Sequence, residues 1–118
     1  MSMIAMVLTA LVAVLHGYFL VLEMFLWDRP MGRRAFGTTP EFATASKTLA
    51  ANQGLYNGFL AAGLIWGLAL GSQGVPVRIF LLICVLIAGI FGGITANRRI
   101  LLVQGAPAAL ALGALLLS

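Results

Sequence analysis

Charge is scarce in this chain. Of its 118 residues, seven are Lys or Arg and three are Asp or Glu. That is 8% charged, where a soluble domain carries about a quarter. Cysteine is nearly absent: the single Cys84 excludes a disulfide within the chain. It lies in an apolar run with no cation or histidine near it in sequence, so it reads as a small buried hydrophobe rather than a reactive thiol. No CxxC, phosphate-binding glycine loop or Ser-His-Asp arrangement occurs, and no metal-ligand set extends beyond one His and one Glu. The sequence therefore names no metal and no cofactor. Strand-like alternation, tandem repeats and linkers are also missing. A secretory signal is not expected, because no basic segment follows Met1 and the first apolar stretch is too long for a signal core. The first helix is accordingly expected to stay in the mature protein.

What is present is apolar. Hydrophobic residues make up 62% of the sequence, more than a chain this short could hide from water. A bilayer accommodates such a composition because lipid is itself the apolar solvent. The net charge of +4 does not indicate nucleic acid, since the few basic residues sit in connecting segments. Only helices or closed barrels satisfy the backbone in lipid. The expectation is thus an all-α protein of one integral membrane domain, residues 1–118, built as a bundle of four transmembrane helices. Approximate spans are 3–27, 49–70, 77–96 and 100–117, each near the roughly 20 residues a crossing needs.

The breaks between spans follow from local chemistry. Asp28-Arg29-Pro30-Met31-Gly32-Arg33-Arg34 combines charge, proline and glycine and is expected to stop a helix. Thr39-Pro40-Glu41 reads as an N-cap, a first-turn proline and an acid near the positive helix end. Helix 2 is therefore expected to begin near Pro40 in an amphipathic lead-in segment. Gly71 to Pro76 forms a tight turn and Asn97-Arg98-Arg99 a shorter one. The first connection holds Arg29, Arg33, Arg34 and Lys47, the second only Arg78, and the third Arg98 and Arg99. Positive connections stay in the cytoplasm, so loops 1 and 3 are expected inside and both termini outside.

Polar residues within spans point by default to function. Helix 1 carries His16 and Glu23; helix 2 carries Asn52, Gln53, Tyr56 and Asn57; Gln104 lies in helix 4. His16, Glu23 and Trp27 are seven and four residues apart and share a helix face, as Gln53 and Asn57 do. If helix 1 ends at Asp28, Glu23 lies about 8 Å and His16 about 18 Å inside the membrane, with the helix 2 amides at matching depths. The expectation is a cytoplasm-facing polar pocket closed on its outer side. Glu23 and His16 are the candidate acid–base groups, Asn52, Gln53 and Asn57 would orient a ligand, and Trp27 and Tyr56 would form apolar walls. The plainer reading is that the amides hydrogen-bond each other between helices. Gly54, Gly58 and Ala62, then Gly63, Gly67 and Gly71, recur every fourth residue, and helix 3 has Ala88, Gly92 and Ala96 beside Gly89 and Gly93. Such spacing suits close helix packing, within one chain or between subunits. Pro107 is expected to kink helix 4.

His16-Gly17-Tyr18 through Glu23-Met24-Phe25-Leu26-Trp27, Arg34-Ala35-Phe36-Gly37, and Asn52-Gln53-Gly54-Leu55-Tyr56-Asn57-Gly58 carry a resemblance. The chain resembles the domain of unknown function 1304 family, small bacterial four-helix membrane proteins, over nearly its whole length. The resemblance implies a multi-pass protein of the bacterial inner (plasma) membrane without an assigned activity. Helix 2 is also similar to that of the membrane-associated eicosanoid and glutathione metabolism enzymes, short four-helix chains that trimerise. The basic residues flanking the asparagine-containing motif in those enzymes are missing here, which argues against glutathione. The leading functional expectation is a pocket for a small amphipathic or lipid-like molecule. Its alternatives are a small transporter or exporter subunit acting as a homo-oligomer, and a structural partner of another membrane protein. Whether a reaction follows binding is left open, because no electrophile-activating group accompanies Glu23 and His16.

Overall fold

A computed structural model describes residues 2–118. Among the described residues every regular element is helical and no strand occurs. The order is α1 (Met3–Met24), α2 (Pro30–Phe36), α3 (Pro40–Ala45), α4 (Lys47–Ala69), a 3-10 turn (Gly71–Gly74), α5 (Val75–Thr95), α6 (Arg98–Ile100), a π turn (Leu101–Gly105) and α7 (Ala106–Leu116).

Two expectations in the first connection need correction. α1 ends at Met24 rather than Trp27, because the next residues are drawn to the start of α4. The Trp27 indole N–H donates to the Ser46 hydroxyl at 3.1 Å, and Asp28 pairs with Lys47 at 3.2 Å. The Asp28 to Arg34 stretch, read as a helix stop, also begins a helix. Pro30 occupies its first turn, where a missing N–H costs nothing and φ is already helical. α2 closes at Gly37, whose φ of 66° is left-handed and suits a residue without Cβ. α3 does begin at Pro40, and the Thr39 side chain accepts a hydrogen bond from the Phe42 N–H. A break at Ser46 then separates it from α4.

Among the described residues three stretches are long and apolar enough to cross a membrane: Met3–Met24, Gly71–Thr95 and Arg98–Leu116. α4 has the length, at 23 residues, but Asn52, Gln53 and Asn57 dilute its apolarity. Before Pro107 the chain departs from α geometry, and the Ala106 N–H reaches Leu101 O, five residues back. Pro107 supplies no N–H to the residue 103 carbonyl and its ring crowds it, and the wider turn leaves room for the ring.

The chain divides into two compact units, residues 15–59 and residues before 15 together with Leu60–Ser118. The larger unit has a core of Ala5, Val12, Ala13, Leu64, Leu82, Val85, Ala108, Ala111 and Leu115. Its helices meet over glycine. A Cβ on Gly89 of α5 would stand 2.5 Å from the backbone nitrogen of Gly105 and 2.6 Å from its Cα. Gly92 lies against Ile100, Gly93 against Leu101, and Gly63 against Leu81. These stripes are thus used within the chain. Gly71 is a correction: a Cβ there would meet nothing, and the residue instead takes a φ of 63° at the turn. The outward faces remain apolar, with Phe80, Ile87, Phe91 and Ile94 of α5 all exposed.

Candidate functional site

The smaller unit holds all seven residues expected to form the pocket, while Gln104 lies in the larger one. α1 buries one stripe, Ala5, Thr9, Val12, His16 and Glu23, spaced by three, four or seven residues as neighbouring turns require. On α4 the corresponding stripe is Ala50, Gly54, Asn57, Ala61 and Leu64, in alternating steps of four and three. Gly54 and Gly58 let α4 approach α1 closely. A Cβ on Gly54 would meet Met24 Cγ at 2.7 Å and Glu23 Cβ at 3.0 Å, and one on Gly58 would meet Leu20 Cδ1 at 2.5 Å. Asn57, between them in sequence, donates a hydrogen bond from Nδ2 to Glu23 Oε1. Glu23 is only 5% exposed.

Around this pair the structure sorts the remaining candidates. His16 is fully buried two turns earlier on α1, its ring edge-on to Phe19 at 5.4 Å. Trp27 has left the helix, so it does not continue the face of His16 and Glu23. It is half-buried, tilted against Phe36 at 5.0 Å, with its N–H on Ser46. Asn52, Gln53 and Tyr56 are exposed on α4, and Tyr56 contacts only the ring of Phe59 among the aromatic residues, at 5.9 Å. Glu23 and Asn57 are therefore brought into direct contact, while three of the expected ligand groups face outward. The equal treatment of Asn52, Gln53 and Asn57 needed the stripe to be resolved: alternating steps of four and three through Gly54 and Ala61 select Asn57.

Two charged positions were not anticipated. Arg78, counted above as a loop cation, is fully buried on the α5 stripe with Leu82, Val85 and Gly89, and donates from Nη2 to Gly71 O at 2.8 Å. Its spacing to Leu82 and Val85 was the available signal. Asp28, outside the long helices, pairs with Lys47, whose hydrogen bond holds the Asp28 carboxyl below its ordinary value. An open apolar depression in the larger unit, lined by Gly63, Trp66, Pro76, Val77, Phe80 and Leu81, contains no charged group.

Chemically, a buried carboxyl bonded to one amide can accept a proton or a further hydrogen-bond donor, or meet a ligand's positive end. Among the described residues no group of three His, Cys, Asp or Glu is placed to hold a metal ion.

Long apolar helices with a buried carboxyl–amide pair define an all-α protein whose helices are compatible with membrane insertion. The family model described as Protein of unknown function (DUF1304) matches residues 10–116, and the chain belongs to that family. It is similar to Uncharacterized protein YpaA of Lactococcus lactis subsp. lactis (strain IL1403), 34% identical over 114 residues, covering 95% of this chain and 96% of that protein. No solved structure matches the chain.

Proposed function

We propose that this is a multi-pass protein of the bacterial inner membrane, with α1, α4, α5 and the α6–α7 segment as four bundled spans, and that the Glu23–Asn57 pair binds a small amphipathic or lipid-like molecule. One observation carries the site: a buried carboxyl on one long helix is bonded to an amide on another in an otherwise apolar setting. Interhelical hydrogen bonding by itself is served by two amides and does not need a carboxyl, which favours a site. His16, on the same stripe of α1, is the second polar group in reach of a ligand lying along that helix. Asn52, Gln53 and Tyr56, exposed as they are, would act as contacts at the mouth of the site rather than its lining. The membrane assignment is supported by the apolar outer surface, since Phe80, Phe91 and Ile94 exposed together would drive aggregation in water. The orientation is supported by the folding inward of Arg78, which leaves the connection between α4 and α5 without an exposed cation.

The test is Glu23→Gln, which keeps shape and a hydrogen-bond acceptor for Asn57 but removes the titratable group. Protein purified in mild detergent is analysed by mass spectrometry for co-purifying small molecules and by thermal unfolding. The variant is expected to melt like the wild type and to lose the bound molecule, with Asn57→Ala only reducing it. A Glu23→Gln protein that unfolds, or that retains the full complement of ligand, makes Glu23 a structural residue and removes the site.

A further inference from the structure

The smaller unit carries a second polar feature, remote in chemistry from the Glu23–Asn57 pair. Arg29, Arg33 and Arg34 fall within six consecutive residues around α2. The nearest acid in sequence, Asp28, is already engaged by Lys47 at 3.2 Å, and among the described residues no ion pair neutralises the three arginines. Arg29 and Arg34 are exposed. Arg33 is half-buried, and its Nε is shielded from solvent without a hydrogen-bond partner; so is the Thr38 hydroxyl. The two residues are locked together at the end of α2, because the backbone N–H groups of Gly37 and Thr38 both donate to Arg33 O. Shielded donors without acceptors are costly in a folded chain, and either side chain, turned outward, would gain from an external oxygen acceptor. Beside them Met31 and Phe36 are exposed apolar side chains. Cations interleaved with exposed apolar residues on short helices match the boundary of a bilayer, where anionic headgroups meet acyl chains.

We propose that α2 and the Gly37–Thr38 turn dock the headgroup of an anionic phospholipid. Arg33 and the Thr38 hydroxyl hold a phosphate oxygen, Arg29 and Arg34 supply the complementary charge, and Met31 lies along the acyl chain. This site rests on the membrane reading above but not on the Glu23 site.

The experiment titrates detergent-purified protein with short-chain phosphatidylglycerol, with phosphatidylcholine of the same chain length, and with inorganic phosphate, following the thermal midpoint. Phosphatidylglycerol is expected to raise the midpoint and the other two not. Arg33→Gln and Thr38→Val should each weaken the apparent affinity about fivefold, the loss of one near-surface contact, while Arg98→Gln, on α6, should not. Thr38→Val gives the answer should Arg33→Gln fail to fold. Equal stabilisation by phosphatidylcholine or by phosphate, an Arg98→Gln loss as large as that of Arg33→Gln, or wild-type affinity in both site variants overturns the proposal. Carbonate extraction of cell membranes separates the two readings. A chain released by carbonate overturns the membrane assignment and this site with it. A chain retained without a phosphatidylglycerol preference overturns this site alone.

Discussion

A single spacing decides which asparagine matters. Asn52 and Asn57 are the same side chain five residues apart on α4, yet only Asn57 falls on the stripe that meets α1. Its amide closes on Glu23, and the glycines on either side, Gly54 and Gly58, remove the bulk that would hold the helices apart. The Asp28–Lys47 pair acts at the same scale, holding the chain just beyond α1 to the start of α4. Lys47 keeps the Asp28 carboxyl below its ordinary value of 3.8. A depressed folded-state value means that the stabilisation is fully present above the unfolded carboxylate value and is lost as pH falls through the folded one. Asp28→Asn should therefore flatten the decline in thermal midpoint below about pH 4 and change little at pH 7, since an exposed pair is worth little. A variant whose acid limb overlays the wild type would show that the contact carries no stability.

At the scale of elements, helix contacts here are set by what glycine leaves empty. α5 meets the π turn backbone to backbone, where Gly89 faces Gly105. Backbone cannot rotate aside as a side chain can. Gly89→Ala should destabilise by about 1–3 kcal/mol, the cost of inserting a methyl into a filled contact. Gly58 faces only the end of the flexible Leu20 side chain, and alanine there gains up to about 1 kcal/mol of helix propensity. Gly58→Ala should thus be near neutral. Thermal unfolding of both variants in one detergent checks the order, and equal midpoints would remove the distinction. The π turn belongs to the same contact. It widens the backbone just before Pro107 and sets Gly105 against Gly89, so the irregularity required by proline coincides with a backbone-to-backbone contact in the larger unit.

For the molecule as a whole, the distribution of cations makes a directional statement. The connection between α1 and α4 carries Arg29, Arg33 and Arg34 at or near its surface, that between α5 and α6 leads into exposed Arg98 and Arg99, and Arg78 is withdrawn from the connection between α4 and α5. A C-terminal alkaline phosphatase fusion is therefore expected to be active and a fluorescent-protein fusion at the same point dark. The reverse pattern would overturn the orientation.

By itself the sequence determined the helical, apolar character of the chain, its family, the start of a helix at Thr39-Pro40, and the presence of a short list of polar residues within apolar runs; the Gly71 to Pro76 stretch, read as a turn, already enters α5 at Val75. These follow from composition, from proline and capping geometry and from the needs of a backbone in lipid, all local properties. It was misleading where local signals compete. Pro30 reads equally as a stop or as a first turn, and Trp27 fits the α1 periodicity until Ser46 offers its indole a partner. Only the tertiary structure decided that Asn57 rather than Asn52 or Gln53 reaches Glu23, that Arg78 turns inward, and that the glycine stripes are filled by this chain's own helices. Each of those outcomes depends on which residues from distant segments stand opposite one another, and helical periodicity specifies a face without specifying what that face will meet.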